Sequence, residues 1–236
     1  MRVELVTKTQ GVGKMEGLNV DELVAYQARV SSPKNHEDKL NGIAGLIRYC
    51  ALHSHWSVFD TVNLGFEIET SRAIGRQLIR HSSIHPQEHS QRYEAVTSYE
   101  LLELRGGHDN NRQSSSEHHD PQIGMELASS LIEYHLEDTN RLYKKLVDNG
   151  VARECARGIL PETATSKLYM NGTLRSWITF LNVRLHETAQ LEAREIAQGI
   201  RDVILEECPV ISEAFLNFHN AEKVHFLDQL VLNKYH

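Results

Sequence analysis

Long apolar runs are missing from this 236-residue sequence. No stretch approaches the roughly eighteen apolar residues of a membrane-spanning helix, and the N-terminus lacks the basic-then-apolar pattern of a signal peptide. An excess of positive charge is missing too. Against 32 aspartates and glutamates stand 25 lysines and arginines, for a net charge of -7 and a pI near 6.0. That balance argues against a partner of nucleic acid polymers or of membrane surfaces, so clustered arginines should meet a small anion. Cysteine is scarce: Cys50, Cys155 and Cys208 lie far apart with no C-x-x-C pair, which argues against a disulfide framework or a zinc site and suits a reducing compartment. Neither G-x-G-x-x-G nor G-x-x-x-x-G-K-[ST] occurs, so the Rossmann and P-loop routes to a nucleotide find no support. The expectation is a soluble, cytoplasmic protein that meets a phosphate-bearing metabolite.

What is present is enough apolar material for one core, 40% of the residues, in a single domain spanning 1–236 without internal repeats. Met1 to Thr7 alternates like a half-buried strand, and Asp21 reads as the N-cap of a helix through Ala28. A second helix is expected from about Lys39 to His53, with Ile43, Leu46, Ile47 and Cys50 on one face. Val62, Leu64, Phe66 and Ile68 then alternate with polar neighbours, the clearest period-two signal in the chain. Ser71 reads as the cap of a helix that turns Ile74 and Leu78 inward and sets Arg72, Arg76 and Arg80 in one stripe, where an anion would relieve their repulsion. Residues 106–122 read as an exposed loop. A long helix follows, with Leu127, Leu131, Tyr134, Leu142 and Leu146 as a core stripe. Amphipathic helices are expected over Thr173–Arg184 and Thr188–Glu207, and the tail to His236 reads as helical or loosely packed.

The densest chemistry lies in Arg80 to Tyr93, RHSSIHPQEHSQRY. Arginine's planar fork holds a phosphate through two parallel hydrogen bonds, and hydroxyls and amides fill its remaining oxygen positions. Ser90, Gln91 and Arg92, with Gln77 and Arg80 nearby, supply that set. Glu88 would hold a sugar hydroxyl or pair with Arg80 or Arg92. His81, His85 and His89 recur every four residues, but Pro86 forbids the helix that would gather them, so no metal site is expected and the motif reads as a loop or a broken helix.

Arg80-His81, Glu88, Ser90, Arg92 and Tyr93 resemble the signature RHRxxSxNExSxRY of flavin-dependent thymidylate synthases. ARVS at 28–31, HWSVFD at 55–60, RQLIRH at 76–81, ARECARGILP at 152–161 and LRSWITFLNVR at 174–184 resemble the family's other blocks in the same order. The resemblance implies an α/β (α+β) fold, a small mixed sheet with packed helices, assembled as a homotetramer with active sites between subunits. It implies FAD as cofactor, NADPH and methylenetetrahydrofolate as co-substrates, and the reductive methylation of dUMP to dTMP, a methyltransferase reaction. Gln77, Arg80, Glu88, Ser90, Gln91, Arg92, Arg157 and Arg184 would hold dUMP. Arg184 would act catalytically by stabilising charge on the pyrimidine, and Ser90 would serve as a substrate contact in the reaction. FAD would meet Ser31, His55, Ser57, Arg80, His81, Ser82, Ser83, Glu88, Arg175 and Thr179.

The sequence departs from the family at Ser82, His85 and Gln87 within the signature, at Asp60-Thr61, and at Thr179 and Thr188. Most of these lie on the flavin and folate side, while the phosphate-facing arginines are kept. Two alternatives therefore stand beside the main reading. One is a related one-carbon transferase, such as a hydroxymethylase, acting on dUMP or dCMP. The other is a nucleotide-binding protein that has lost catalysis.

Overall fold

The computed structural model describes residues 1–32, 40–93, 98–101, 103–111 and 114–215. Eight α-helices and eight strands lie along them. The strands are β1 (Arg2–Lys8), β2 (Asn63–Ser71), β3 (His85–Glu88), β4 (Arg105–Gly107), β5 (Ser115–His118), β6 (Gln122–Ile123), β7 (Glu126–Leu127) and β8 (Thr165–Thr173). The helices are α1 (Val20–Ala28), α2 (Ile43–Leu52), α3 (Arg72–Leu78), α4 (Ala128–Asp148), α5 (Arg153–Ala156), α6 (Leu174–Arg184), α7 (Leu191–Glu207) and α8 (Pro209–Phe215). The tail from 216 to 236 lies outside the described residues. None of the described helices is long and apolar enough to cross a membrane.

The central sheet has the order β1-β2-β8-β3. Its pairings are all antiparallel, so the α+β expectation holds but the sheet is not mixed. Strand β8, which the sequence reading did not anticipate, pairs with β2 along nine residues, from Asn63 opposite Thr173 to Ser71 opposite Thr165. Leu64, Phe66 and Ile68 of β2 and Leu168 and Met170 of β8 are fully or almost fully buried. They meet Trp177, Phe180, Ile196 and Ile200 from α6 and α7 in one core. Trp177 lies edge-on to Phe66, with centroids 4.9 Å apart, and its indole N–H donates to the Leu64 carbonyl at 2.9 Å. Each fully buried large side chain stabilises the fold by about 1.5–3 kcal/mol. On β2 and β8, residues of the opposite parity are polar: Lys167 bridges Glu67 and Glu69 at 3.1 and 3.0 Å. Alternation of this kind is what a one-sided antiparallel sheet requires.

Pro86 explains where β3 sits. Having no N–H to give, proline is tolerated only at a sheet edge, and β3 is the edge beyond β8, with Pro86 opposite Met170. The motif expected to be a loop or broken helix is thus partly an edge strand. Other expectations also shift. Residues 106–122 do not form a plain loop: β4 and β5 pair as a hairpin, followed by the short β6–β7 ladder. Gly42, at φ 66°, precedes α2 and starts it at Ile43 rather than Lys39. The α4 stripe is core only in part, with Leu131 and Leu146 half-buried. Leu127, Tyr134 and Leu142 are exposed, whereas Ala128, Leu136 and Tyr143 face inward.

Asp21 is not the cap of its own helix. Asn19 takes that role, in a reciprocal capping box with Glu22. Asp21 is instead buried and accepts from the backbone N–H groups of Val210 and Ile211, both at 3.0 Å, so it ties α1 to the start of α8. Burial pushes its carboxyl pKa up, against the pull of those two N–H groups. Asp21→Ala leaves two buried N–H groups without an acceptor and is expected to cost about 3 kcal/mol in urea unfolding, with Asp21→Asn costing less.

Candidate active site

Two strand-to-helix junctions build the site. Strand β2 ends at Ser71, whose hydroxyl accepts from the Ile74 N–H and starts α3. Strand β8 ends at Thr173, whose hydroxyl accepts from the Ser176 N–H and starts α6. The strands are antiparallel, so the two caps stand at opposite ends of the ladder. The C-terminal end of α6 meets that of α3, and the Arg184 guanidinium donates to the backbone carbonyl of Gln77.

Around that contact lie several residues singled out from the sequence. The His81 ring packs edge-on against Phe180, with centroids 5.6 Å apart, and its Nε2 lies 3.3 Å from the Thr179 hydroxyl. Thr179 gives its own proton to the Ser176 carbonyl at 2.9 Å, so the His81 Nε2–H is the donor to Thr179 and Nδ1 is left as an acceptor. Burial, and then the neighbouring Arg184 charge, hold the His81 pKa below its ordinary value. Burial, and then Arg80, do the same to Arg184. Arg80, His81 and Arg184 thus share one electropositive patch. The side-chain amide of Gln77 donates to Gln190 at 2.6 Å.

Counter-charges separate the remaining arginines. In the α3 stripe, Arg72 pairs with Glu88 at 3.2 Å and Arg76 pairs with Glu162. Those two are therefore not waiting for an anion, contrary to the stripe reading. Glu88 also accepts from Ser166 at 3.0 Å, so its partner is Arg72 rather than Arg80 or Arg92. Arg92 pairs with Glu154 at 3.1 Å. Arg153 donates to the Tyr93 carbonyl, fastening the motif's end to α5. No carboxylate pairs with Arg80, Arg157 or Arg184 among the described residues. The Arg184 Nε is buried without a hydrogen-bond partner. In the turn at 90–93, Ser90 takes the Arg92 N–H at 3.4 Å, and buried Gln91 keeps an unpartnered amide nitrogen.

A second cluster gathers at the α6 N-terminus. Asp60 accepts from the Thr173 hydroxyl at 3.0 Å and pairs with Arg175 at 3.1 Å, and the Arg175 guanidinium lies over Trp56 at 5.9 Å. Exposed Ser57 lies on the same turn, Trp56–Asp60. His55 lies beside it, in a ring group with Tyr49 and His53. Ser82 and Ser83 are exposed in the turn before β3. The side chain of Ser31 lies outside the described residues. The Thr188 hydroxyl lies 2.8 Å from the His186 Nδ1. The arginines thus fall into three groups: Arg80 with Arg184, Arg92 on Glu154 of α5 with Arg157 directly after that helix, and Arg175 on Asp60. No hydrogen bond or ion pair joins one group to another among the described residues. Three residues not singled out for a role, Asp60, Gln190 and Glu154, hold the arginines or glutamine that were. Only their partners, not their own positions, would have signalled them.

Residues 15–210 match the family described as thymidylate synthase complementing protein. The chain belongs to that family. Among relatives of the family, a probable flavin-dependent thymidylate synthase of Paramecium bursaria Chlorella virus 1 is 35% identical over 215 residues, covering 91% of this chain and 98% of the relative. The flavin-dependent thymidylate synthase of Synechocystis sp. is 38% identical over 211 residues, 89% of this chain and 95% of the relative. In three dimensions the chain is similar to a UMP/dUMP methylase, PolB, from Streptomyces cacaoi bound with 5-Br dUMP. The TM-score is 0.74 at 26% identity, covering 91% of this chain and 94% of the other.

His81 sets a pH dependence. Its folded pKa is depressed, so the folded state binds fewer protons than the unfolded state below about pH 6.5, the ordinary histidine value. Its contribution is present above that value and is lost as pH falls through the depressed one. Stability followed by urea unfolding is expected to decline more steeply across that window in the wild type than in His81→Gln.

Proposed function

We propose that the protein is a flavin-dependent thymidylate synthase, which methylates dUMP to dTMP with a bound flavin, methylenetetrahydrofolate and NADPH. It is an enzyme and a methyltransferase of nucleotide biosynthesis. The observation that carries the reading is that, among the described residues, half-buried Arg157 and Arg184 and exposed Arg80 have no carboxylate partner, in an acidic chain that pairs most of its other arginines. A guanidinium left part-buried without a counter-charge costs folding energy, and an anionic ligand removes that cost. The nucleotide phosphate is read onto Arg157 and Arg92, with Ser90 and the free Gln91 amide as further donors. The pyrimidine is read onto Gln77, Arg80 and Arg184.

Arg184 has the chemistry to polarise the ring. Its free Nε–H sits in a part-buried setting, where a donor aimed at developing negative charge is worth more than in water. Neutral His81 beside it adds no third positive charge and offers Nδ1 to an imide N–H. Ser90 positions the substrate rather than attacking it, since no base activates its hydroxyl among its described contacts. Glu88, held by Arg72 and Ser166, is fixed as an acceptor for a ribose or flavin hydroxyl.

The residues fit a flavin dinucleotide. The hydroxyls of Ser57, Ser82 and Ser83 are exposed, and Arg175 is held by Asp60 yet remains partly open to solvent. When bound, the flavin supplies hydride or methylene transfer. The chain's part is to orient it through FAD contacts at His55, Arg80, His81, Arg175 and Thr179. A homotetramer joins the three arginine groups across subunits. Its support is the exposure of large apolar side chains before and along α4, Ile123, Met125, Leu127, Tyr134 and Leu142, the kind of surface a partner subunit would cover. The free thiols suit a reducing cytoplasm.

The deciding assay is tritium release from C5-labelled dUMP with FAD, folate and NADPH, run beside UMP and dCMP as competing substrates. Release from dUMP with a bound flavin absorbance band is expected. Absence of release despite bound flavin would overturn the reading. Arg184→Gln is expected to lower kcat by about a hundredfold while FAD stays bound. Tyr134→Glu is expected to lower the mass measured by light scattering and to abolish release in the resulting smaller species.

A further inference from the structure

One more arginine shares the trait that marks the candidate active site. Arg194, in the first turn of α7, pairs with no carboxylate among the described residues, and its Nε is buried without a hydrogen-bond partner. It lines a cavity of about 330 Å³ between the β4–β5 hairpin and the start of α7, together with Arg105, Ser114, Ser115, Ser116 and Thr188. Arg105 also keeps a buried nitrogen, Nη1, with no hydrogen bond. Residues Thr188 to Leu191 form part of the wall, and Gln190 provides no side-chain cap to the seventeen-residue α7, so the positive end of that helix borders the cavity.

The nearby negative charges do not cancel this field. Glu192 does not line the cavity and is committed to Arg105 at 2.7 Å. Burial pushes its carboxyl pKa up, but its own backbone N–H, Arg105 and Gln190 bring it below the ordinary value, so it stays ionised as Arg105's counter-charge. Glu103 approaches Arg105 at 3.9 Å from the exposed side. Among the described lining residues Glu187 is the one carboxylate, and it is exposed. Arg194 is left with a buried donor and hydroxyls around it. We propose that this cavity is a binding subsite for the phosphate or carboxylate group of a second ligand, separate from the pyrimidine nucleotide, with Arg194 as its principal cation. Gln190 also accepts from Gln77, whose carbonyl holds Arg184. An occupant would thus sit beside the hydrogen-bond chain that positions Arg184; only this last link rests on the function proposed above.

Isothermal titration of the full chain tests the subsite, with inorganic phosphate and, separately, glutarate as probes. It is run in an Arg92→Gln/Arg157→Gln background, so that the proposed nucleotide-phosphate contact does not report. Saturable binding is expected, weakened by about tenfold or more by Arg194→Gln and largely kept by Arg194→Lys. Tighter binding of phosphate or of glutarate assigns the occupant's acid group, and either result supports the subsite. Equal affinity with and without Arg194, or no binding of either anion, overturns it whether or not dUMP binds elsewhere. Should Arg194→Gln fail to fold, Ser116→Asp on the exposed hairpin decides: about tenfold weaker binding supports the subsite, and unchanged affinity overturns it.

Discussion

The nine-residue pairing of β2 with β8 is the constraint on which the rest of the molecule depends. Each strand runs without a loop into a hydroxyl cap and then a helix, Ser71 into α3 and Thr173 into α6. Antiparallel register places the two caps at opposite ends of the ladder. The two helices therefore run back over the same core and meet near their C-terminal ends. That meeting brings Arg184 to the Gln77 carbonyl and sets Arg80 and His81 beside it. Trp177 locks the arrangement, filling the space over Phe66 while its indole bonds to Leu64. A slip of one residue in the ladder would turn Leu64, Phe66 and Ile68 to the polar face and move both caps at once.

On this frame the chain sorts its arginines into two kinds. Arg72, Arg76, Arg92, Arg105 and Arg175 are tied to carboxylates and act as struts between segments distant in sequence. Among the described residues, Arg80, Arg157, Arg184 and Arg194 are not tied in this way. The Arg184 charge is eased instead by a helix-end carbonyl, where the dipole is negative. Such a contact satisfies one donor and leaves the others aimed elsewhere. An electropositive patch can therefore persist in a protein of net charge -7, because the acidic residues are placed against the struts.

How much of this could be read from the sequence depended on the strength of the local signal. Strand β2 was legible because four apolar residues alternate without interruption, and the Ser71 cap was legible because it precedes a helical period. Strand β8 was not. Its inward positions include Ser166 and Gly172, which dilute the alternation that Leu168 and Met170 carry. The signature around Arg80, Glu88, Ser90 and Arg92 identified the family directly. Yet which arginines were paired depended on Glu154, Glu162 and Asp60, whose roles are set by tertiary contacts that no spacing rule encodes. The α4 stripe misled for a related reason: an amphipathic period tells which face is apolar, not whether the surface that covers it belongs to the same chain.

The contact between Arg184 and the Gln77 carbonyl carries an implication for anyone selecting sturdier variants. A carboxylate introduced beside Arg80 or Arg184 would neutralise a part-buried charge, and selection for heat resistance would favour it. The same carboxylate would occupy the donors permanently and keep anions out. Selection on durability alone would thus drift toward a well-folded, inert protein.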